Sequence, residues 1–172
     1  THCALETHGV VVHWLDSDKM KVWASTQGTF SVREELAEYF ELPESNIQVI
    51  TEFMGGGFGA KFGAGVYGVM AARLAKKANL PVWLMLDRKE EQLSAGNRPN
   101  SVQKYSIGAN KDGTLKAVKL IAYGTAGIGT GAGSGGASIA LYRPVKFYTA
   151  EFDISFNAGY GGEFGAPGTS QV

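Results

Sequence analysis

Met54-Gly55-Gly56-Gly57-Phe58-Gly59-Ala60-Lys61-Phe62-Gly63 is the segment whose residue types and spacing could do chemistry. It follows the apolar run Asn46 to Phe53 and precedes a helix-periodic stretch from Val66 to Ala78. Stacked glycines at a strand-to-helix turn free backbone N–H groups to point at an anion, and they let a ligand come close to the main chain. A nucleotide-hydrolase phosphate loop needs G-x-x-x-x-G-K-[ST]; here Phe62 stands after Lys61 where the magnesium-binding hydroxyl belongs, so that chemistry is excluded. A dinucleotide fingerprint is formally met by Gly55, Gly57 and Ala60, with Asp87 as the ribose carboxylate. Asp87 stands 27 residues past Ala60, longer than the usual spacing of ~20. A tight turn that binds nothing is the third possibility, and the residues alone leave the last two open.

Other groups could take part. Glu6 and His8 alternate onto one strand face with Cys3 nearby, which offers either a metal site lacking a fourth ligand or a hydrogen-bonded pair. Lys61 is either a contact to an anionic cofactor or a solvated lysine at a helix start. Arg33-Glu34-Glu35 and Glu90-Glu91 read as charged faces. A single cysteine rules out an internal disulfide and a multi-cysteine iron–sulfur site.

The elements that must position these groups follow from periodicity. Gly9 to Trp14 and Lys21 to Ser25 are β-rich around the turn Asp16-Ser17-Asp18-Lys19. Ser31 and Glu34 form a capping-box pattern ahead of Leu36, Tyr39 and Phe40, and Pro43 ends that helix. The second helix carries Val66, Val69, Met70 and Leu74 on one face, and Val82 to Leu86 is a strand. Strand, glycine loop, helix and strand make a crossover unit. Ser101 to Ala109 and Thr114 to Tyr123 flank the turn Asn110-Lys111-Asp112-Gly113. Gly124 to Gly136 reads as a loop, Phe147 to Phe156 as a last strand, and Gly159 to Gly168 as a second glycine loop. The expected fold is α+β, with mixed sheets and helices packed on one face in two layers, in a single unit covering 1–172.

Composition sets the outer limits. The 172 residues are 44% hydrophobic and 19% charged, enough apolar material for a core. Sixteen basic and sixteen acidic residues cancel, which argues against phosphate-neutralising nucleic-acid binding and against a polybasic membrane anchor. No apolar run is long enough to span a bilayer. With no charged-then-apolar leader visible, the expected compartment is the cytoplasm, with the periplasm as the alternative. The 24 glycines, about twice the usual share, concentrate in the two loops and demand unusual backbone geometry there.

The glycine segment resembles the signature loop of the molybdopterin-binding large subunit of the xanthine dehydrogenase/aldehyde oxidase family. Leu5-Glu6-Thr7-His8, Val22-Trp23-Ala24-Ser25-Thr26-Gln27-Gly28, Leu86-Asp87-Arg88-Lys89-Glu90-Glu91, Gly96-Asn97-Arg98-Pro99 and Gly108 to Leu115 are similar to that family in the same order. Bacterial aldehyde oxidoreductases of the three-subunit kind look most alike. The resemblance implies a molybdopterin cofactor contacted by Gly56, Gly57, Phe58 and Gly59, and by Gly165 in the second loop. It implies hydroxylation with oxygen from water, with electrons leaving through [2Fe-2S] clusters and FAD on partner subunits or domains. Phe62 occupies the position where purine-hydroxylating members carry a glutamate, which implies an aldehyde as the small-molecule substrate; Phe62 and Pro167 are the expected pocket residues. Gly165 stands where the family pattern has an arginine. The family's base glutamate is expected beyond Val172, its apical glutamine before Thr1, and most pterin-binding segments in the remainder of the large subunit. The isolated chain is therefore expected to hold no catalytic residue and no protein metal ligand, and not to turn over substrate. A non-catalytic module for subunit contact and a dinucleotide-binding protein are the alternatives.

Overall fold

In the computed structural model, residues 3–129, 133, 135–141 and 144–161 are described. They fall into two compact units, one ending at Ala95 and one from Gly96 onward, where the sequence suggested one mixed unit. The boundary is a single glycine with positive φ, Gly96, which needs no linker of distinctive composition.

The first unit is a four-stranded sheet in the order β3-β2-β1-β4, built from β1 (Gly9–Trp14), β2 (Met20–Ala24), β3 (Ile47–Ile50) and β4 (Val82–Met85). β1 pairs antiparallel with both β2 and β4, and β2 pairs parallel with β3. The two strands flanking the glycine loop, β3 and β4, are therefore parallel and lie at opposite edges of the sheet. Val10, Val12 and Trp14 alternate inward from β1 and meet Met20 and Val22 of β2. Helices α1 (Thr29–Phe40) and α2 (Gly65–Ala78) cover that face through Val32, Leu36, Ala71, Ala72 and Ala75.

Helix α2 packs by its small residues, not by the face expected from the sequence. Gly68, Ala71, Ala72 and Ala75 are buried, while Val66, Met70 and Leu74 are exposed. Small side chains let the helix backbone come close enough for the Trp14 indole to donate to the Ala72 carbonyl at 2.9 Å. The opposite sheet face carries a cross-strand row, Ile50–Trp23–Val11–Trp83, uncovered by any described element of this unit.

Two helix starts differ from expectation. Helix α1 begins at Thr29 with Gly28 as its N-cap, so Ser31 lies inside the first turn and makes no cap. A capping box forms instead at Asp87 and Glu90, opening the short helix α3 (Arg88–Ser94).

The second unit holds β5 (Ser101–Ala109), β6 (Leu115–Gly127) and β7 (Lys146–Ser155) in that order, antiparallel then parallel. The predicted turn is present: Asn110 N–H donates to Thr114 O, and Gly113 has φ +88°. Strand β6 continues through Gly124 to Gly127, which the sequence assigned to a loop. A side chain on Gly127 would stand 2.8 Å from the Gly159 carbonyl carbon, so glycine there serves a close backbone crossing. Helix α4 (Gly136–Leu141) lies between the parallel strands. No helix among the described residues is long and apolar enough to cross a membrane. The architecture is α+β, with mixed sheets.

Candidate functional site

The loop between β3 and α2 is held by side chains from the start of the chain and from the end of β2. One oxygen of Glu6, Oε2, accepts from the Gly55 amide at 2.7 Å, from Lys61 Nζ at 3.0 Å and from the Ser25 hydroxyl. Lys61 is 1% exposed; its ammonium also donates to the Glu6 carbonyl at 3.0 Å and to Ser25 Oγ at 2.9 Å. It is thus neither solvated nor available to an anionic ligand. Burial pushes the Glu6 carboxyl up; hydrogen bonds from Ser25, Gly55 and Lys61, with the lysine charge, outweigh it and hold the group below the ordinary glutamate value.

Gln27 supports the middle of the loop. Its Oε1 accepts from the Gly59 amide at 2.8 Å and from the Lys61 amide at 3.4 Å, while its own N–H donates to Lys61 O at 2.6 Å. Thr26 Oγ1 donates to Lys61 O at 2.9 Å. His8 completes the frame from below. Its Nδ1 meets Glu91 Oε1 at 2.8 Å and its Nε2 meets the Ala60 carbonyl at 3.0 Å, while its backbone N–H donates to Glu91 Oε2 at 2.8 Å. Both ring nitrogens thus have an oxygen within hydrogen-bond distance. Glu6 and His8 therefore serve different partners, and no cluster of three or more metal-ligating side chains occurs among the described residues.

The glycines have steric causes. A Cβ on Gly55 would stand 2.5 Å from Glu6 Cβ, and one on Gly57 would stand 2.6 Å from Gln27 Cδ. Gly56 and Gly59 have φ of +103° and +94°, a region open to glycine. Phe58 also has positive φ, +52°, uncommon for a large residue and held here by the surrounding frame.

Against this supported side stands a free one. The amides of Gly56, Gly57 and Phe58 have no protein partner among the described residues, whereas Gly55, Gly59, Ala60 and Lys61 each have one. The Phe53, Phe58 and Phe62 side chains of the same segment are exposed. A depression of about 230 Å³ on the open sheet face, lined by Trp23, Trp83, Met85 and Phe53, also borders Glu6 and Ser25. Three consecutive donors left unpartnered among the described residues, on a pre-shaped backbone, fit a prosthetic group that is itself rich in acceptors.

The predicted contacts Gly56, Gly57, Phe58 and Gly59 thus lie together, with Phe62 beside Gly28 at the far end of the loop. Gly165 and Pro167 lie outside the described residues. Glu6, Gln27, His8 and Glu91 were not singled out as supports of the loop by sequence reasoning. The dinucleotide geometry is not met. The first amides of α2, Ala64 and Gly65, already donate to Glu35 Oε2 at 2.7 and 3.3 Å, so a protein carboxylate fills the place of a phosphate. Asp87 is spent on its own helix, accepting from the Glu90 amide at 2.7 Å.

Residues 1–155 match the family model described as molybdopterin cofactor-binding domain. The chain is 32% identical over 118 residues to the aldehyde oxidoreductase molybdenum-binding subunit PaoC of Escherichia coli (strain K12), covering 69% of this chain and 16% of that protein. It is 34% identical over 127 residues to a xanthine dehydrogenase of Drosophila subobscura, covering 73% of this chain and 9% of that protein. Its fold is shared with quinoline 2-oxidoreductase from Pseudomonas putida 86, with a TM-score of 0.80 at 22% identity over 97% of this chain and 22% of that one. The chain spans less than a quarter of the length of each of these proteins. With the loop, its order of supporting segments and these likenesses in agreement, the chain belongs to the molybdopterin cofactor-binding domain family of the xanthine dehydrogenase and aldehyde oxidase enzymes.

Proposed function

We propose that this chain forms one wall of the molybdopterin site in a hydroxylase that acts on aldehydes. The observation that carries this is the run of three amides, Gly56 to Phe58, unpartnered among the described residues, in a backbone held by Glu6, Gln27 and His8. Those amides would donate to acceptor atoms of the cofactor, and their fixed direction would orient it without a reorganisation cost. When bound, the cofactor supplies a two-electron oxidation in which an aldehyde and water give a carboxylic acid, two electrons and two protons. This chain's residues bind, orient and exclude water; Phe53, Phe58 and Phe62 supply the apolar rim. Residues 1–172 would be a molybdopterin-binding-type portion of a longer large subunit. The [2Fe-2S] clusters and FAD that would accept the electrons belong to partner subunits or domains.

Phe62 supports an aldehyde over a purine. Its ring is 44% exposed at the end of the loop and offers neither donor nor acceptor to a heterocycle. The test is turnover of an aromatic aldehyde and of a purine by the holoprotein and by its Phe62→Glu variant. The expected result is aldehyde turnover by the parent, with purine turnover gained only in the variant. Equal rates on both substrates by the parent would reject the aldehyde assignment. Absence of molybdopterin from the purified holoprotein would favour a non-catalytic contact module instead.

A further inference from the structure

Glu6 Oε2 receives the first amide of the glycine loop, Gly55, and the ammonium of its last polar residue, Lys61. The two ends of the loop are thus tied to one atom. The tie is not a surface ion pair: Lys61 is 1% exposed, and its three N–H donors have three oxygens, Glu6 O, Glu6 Oε2 and Ser25 Oγ. The carbonyl of Lys61 is fixed as well, by Gln27 N–H at 2.6 Å and Thr26 Oγ1 at 2.9 Å. A lysine whose head and backbone are both saturated cannot reach a ligand. Its role must be exerted through the chain it belongs to, and that chain carries the three bare amides.

We propose, resting on the molybdopterin function above, that Glu6 and Lys61 form a clasp that sets the direction of the Gly56–Phe58 amides. Both are positioning residues for the cofactor. The clasp also accounts for the strained backbone. Gly56, Phe58 and Gly59 all lie at positive φ within five residues of the tied ends. A free chain would relax such a run, and closing its ends removes that freedom.

The experiment compares the wild-type holoprotein with Lys61→Met and Glu6→Gln, using as the control Arg33→Met, which breaks the pair with Glu44 and the contact over the Phe30 ring and none of the loop's hydrogen bonds. Tryptophan fluorescence first establishes that each variant is folded. Hydrogen exchange at the amides of Gly55, Gly59 and Lys61 is read in the cofactor-free state, and the Mo(V) paramagnetic spectrum and pterin content in the loaded state. Folded clasp variants should exchange roughly tenfold faster at those amides, as about 1.4 kcal/mol of lost order requires. They should also show a shifted Mo(V) spectrum, and the control should show neither effect. Wild-type exchange and an unshifted spectrum in a folded Glu6→Gln or Lys61→Met protein would overturn the clasp. If Lys61→Met does not fold, Glu6→Gln, which keeps the side-chain shape, decides. If the wild type holds no molybdopterin, the proposed function fails, and the exchange data still decide whether the clasp orders the loop.

Discussion

Replacing Glu91 with leucine should destabilise the first unit by more than any surface change in it. The carboxylate is 1% exposed and accepts two hydrogen bonds, from the His8 backbone N–H and from His8 Nδ1, both at 2.8 Å. His8 is itself 2% exposed. Removing the carboxylate strands two buried donors at about 1–3 kcal/mol each. For a unit of this size, about 3 kcal/mol corresponds to a fall in midpoint of at least roughly 12 °C. All three tryptophans, Trp14, Trp23 and Trp83, lie before Gly96, so tryptophan fluorescence during thermal or urea unfolding follows this unit without interference from the other. The decisive comparison is the cycle of His8→Leu, Glu91→Leu and the double variant. Removing both partners takes away the stranded imidazole, so the double variant should recover about 1–3 kcal/mol relative to the sum of the singles. Additivity within about 0.5 kcal/mol, or a Glu91→Leu protein as stable as wild type, would refute the pair as the support under Ala60.

The Glu6 carboxyl is held below its ordinary value, so its contribution to stability is complete above the unfolded-state value and is lost as pH falls through the lower folded value. Acid titration of the Gly55 amide shift should therefore show the loop loosening on the acid side of the ordinary glutamate range, and Glu6→Gln should abolish that transition. Gly57→Ala would place a methyl 2.6 Å from Gln27 Cδ and drive that side chain off the loop. The expected result is loss of protection at the Gly59 and Lys61 amides in hydrogen exchange; unchanged protection would show that the loop tolerates the methyl by another route.

The parts of the fold that follow local rules were legible. Strand β5 has the bounds expected for the segment before the turn, the Asn110–Gly113 turn forms, and α2 occupies the stretch after the glycine loop. What escaped depends on distant partners. Lys61 and Glu6 are separated by 55 residues, and His8 and Glu91 by 83, so no local pattern marks them as buried pairs. Glu91 looked like a charged face because its neighbour Glu90 is one; the capping box at Asp87 turns Glu90 outward and Glu91 inward. Helix α2 was assigned the wrong inner face because large apolar residues outweigh alanines on any hydrophobicity count, whereas close packing against β1 selects the alanines. The end of β6 read as a loop because the backbone crossing that requires Gly127 lies about thirty residues away, at Gly159. The candidate site was legible as a motif, and its supports were not.

The common thread is a division of labour within one loop. Side chains from the segment between β2 and α1 and from the residues before β1 take up the amides at its ends, and the middle three are left over among the described residues. A turn that existed only to connect β3 with α2 would have no need of so many buried polar contacts beneath it, since each must be satisfied to avoid a penalty.

Amide hydrogen exchange at Gly56, Gly57 and Phe58, with and without bound molybdopterin, tests the central claim most directly. These three amides should exchange freely in the cofactor-free protein and become protected when the cofactor is loaded. If molybdopterin is demonstrably bound while all three exchange as before, the bare backbone of this loop is not what the cofactor meets.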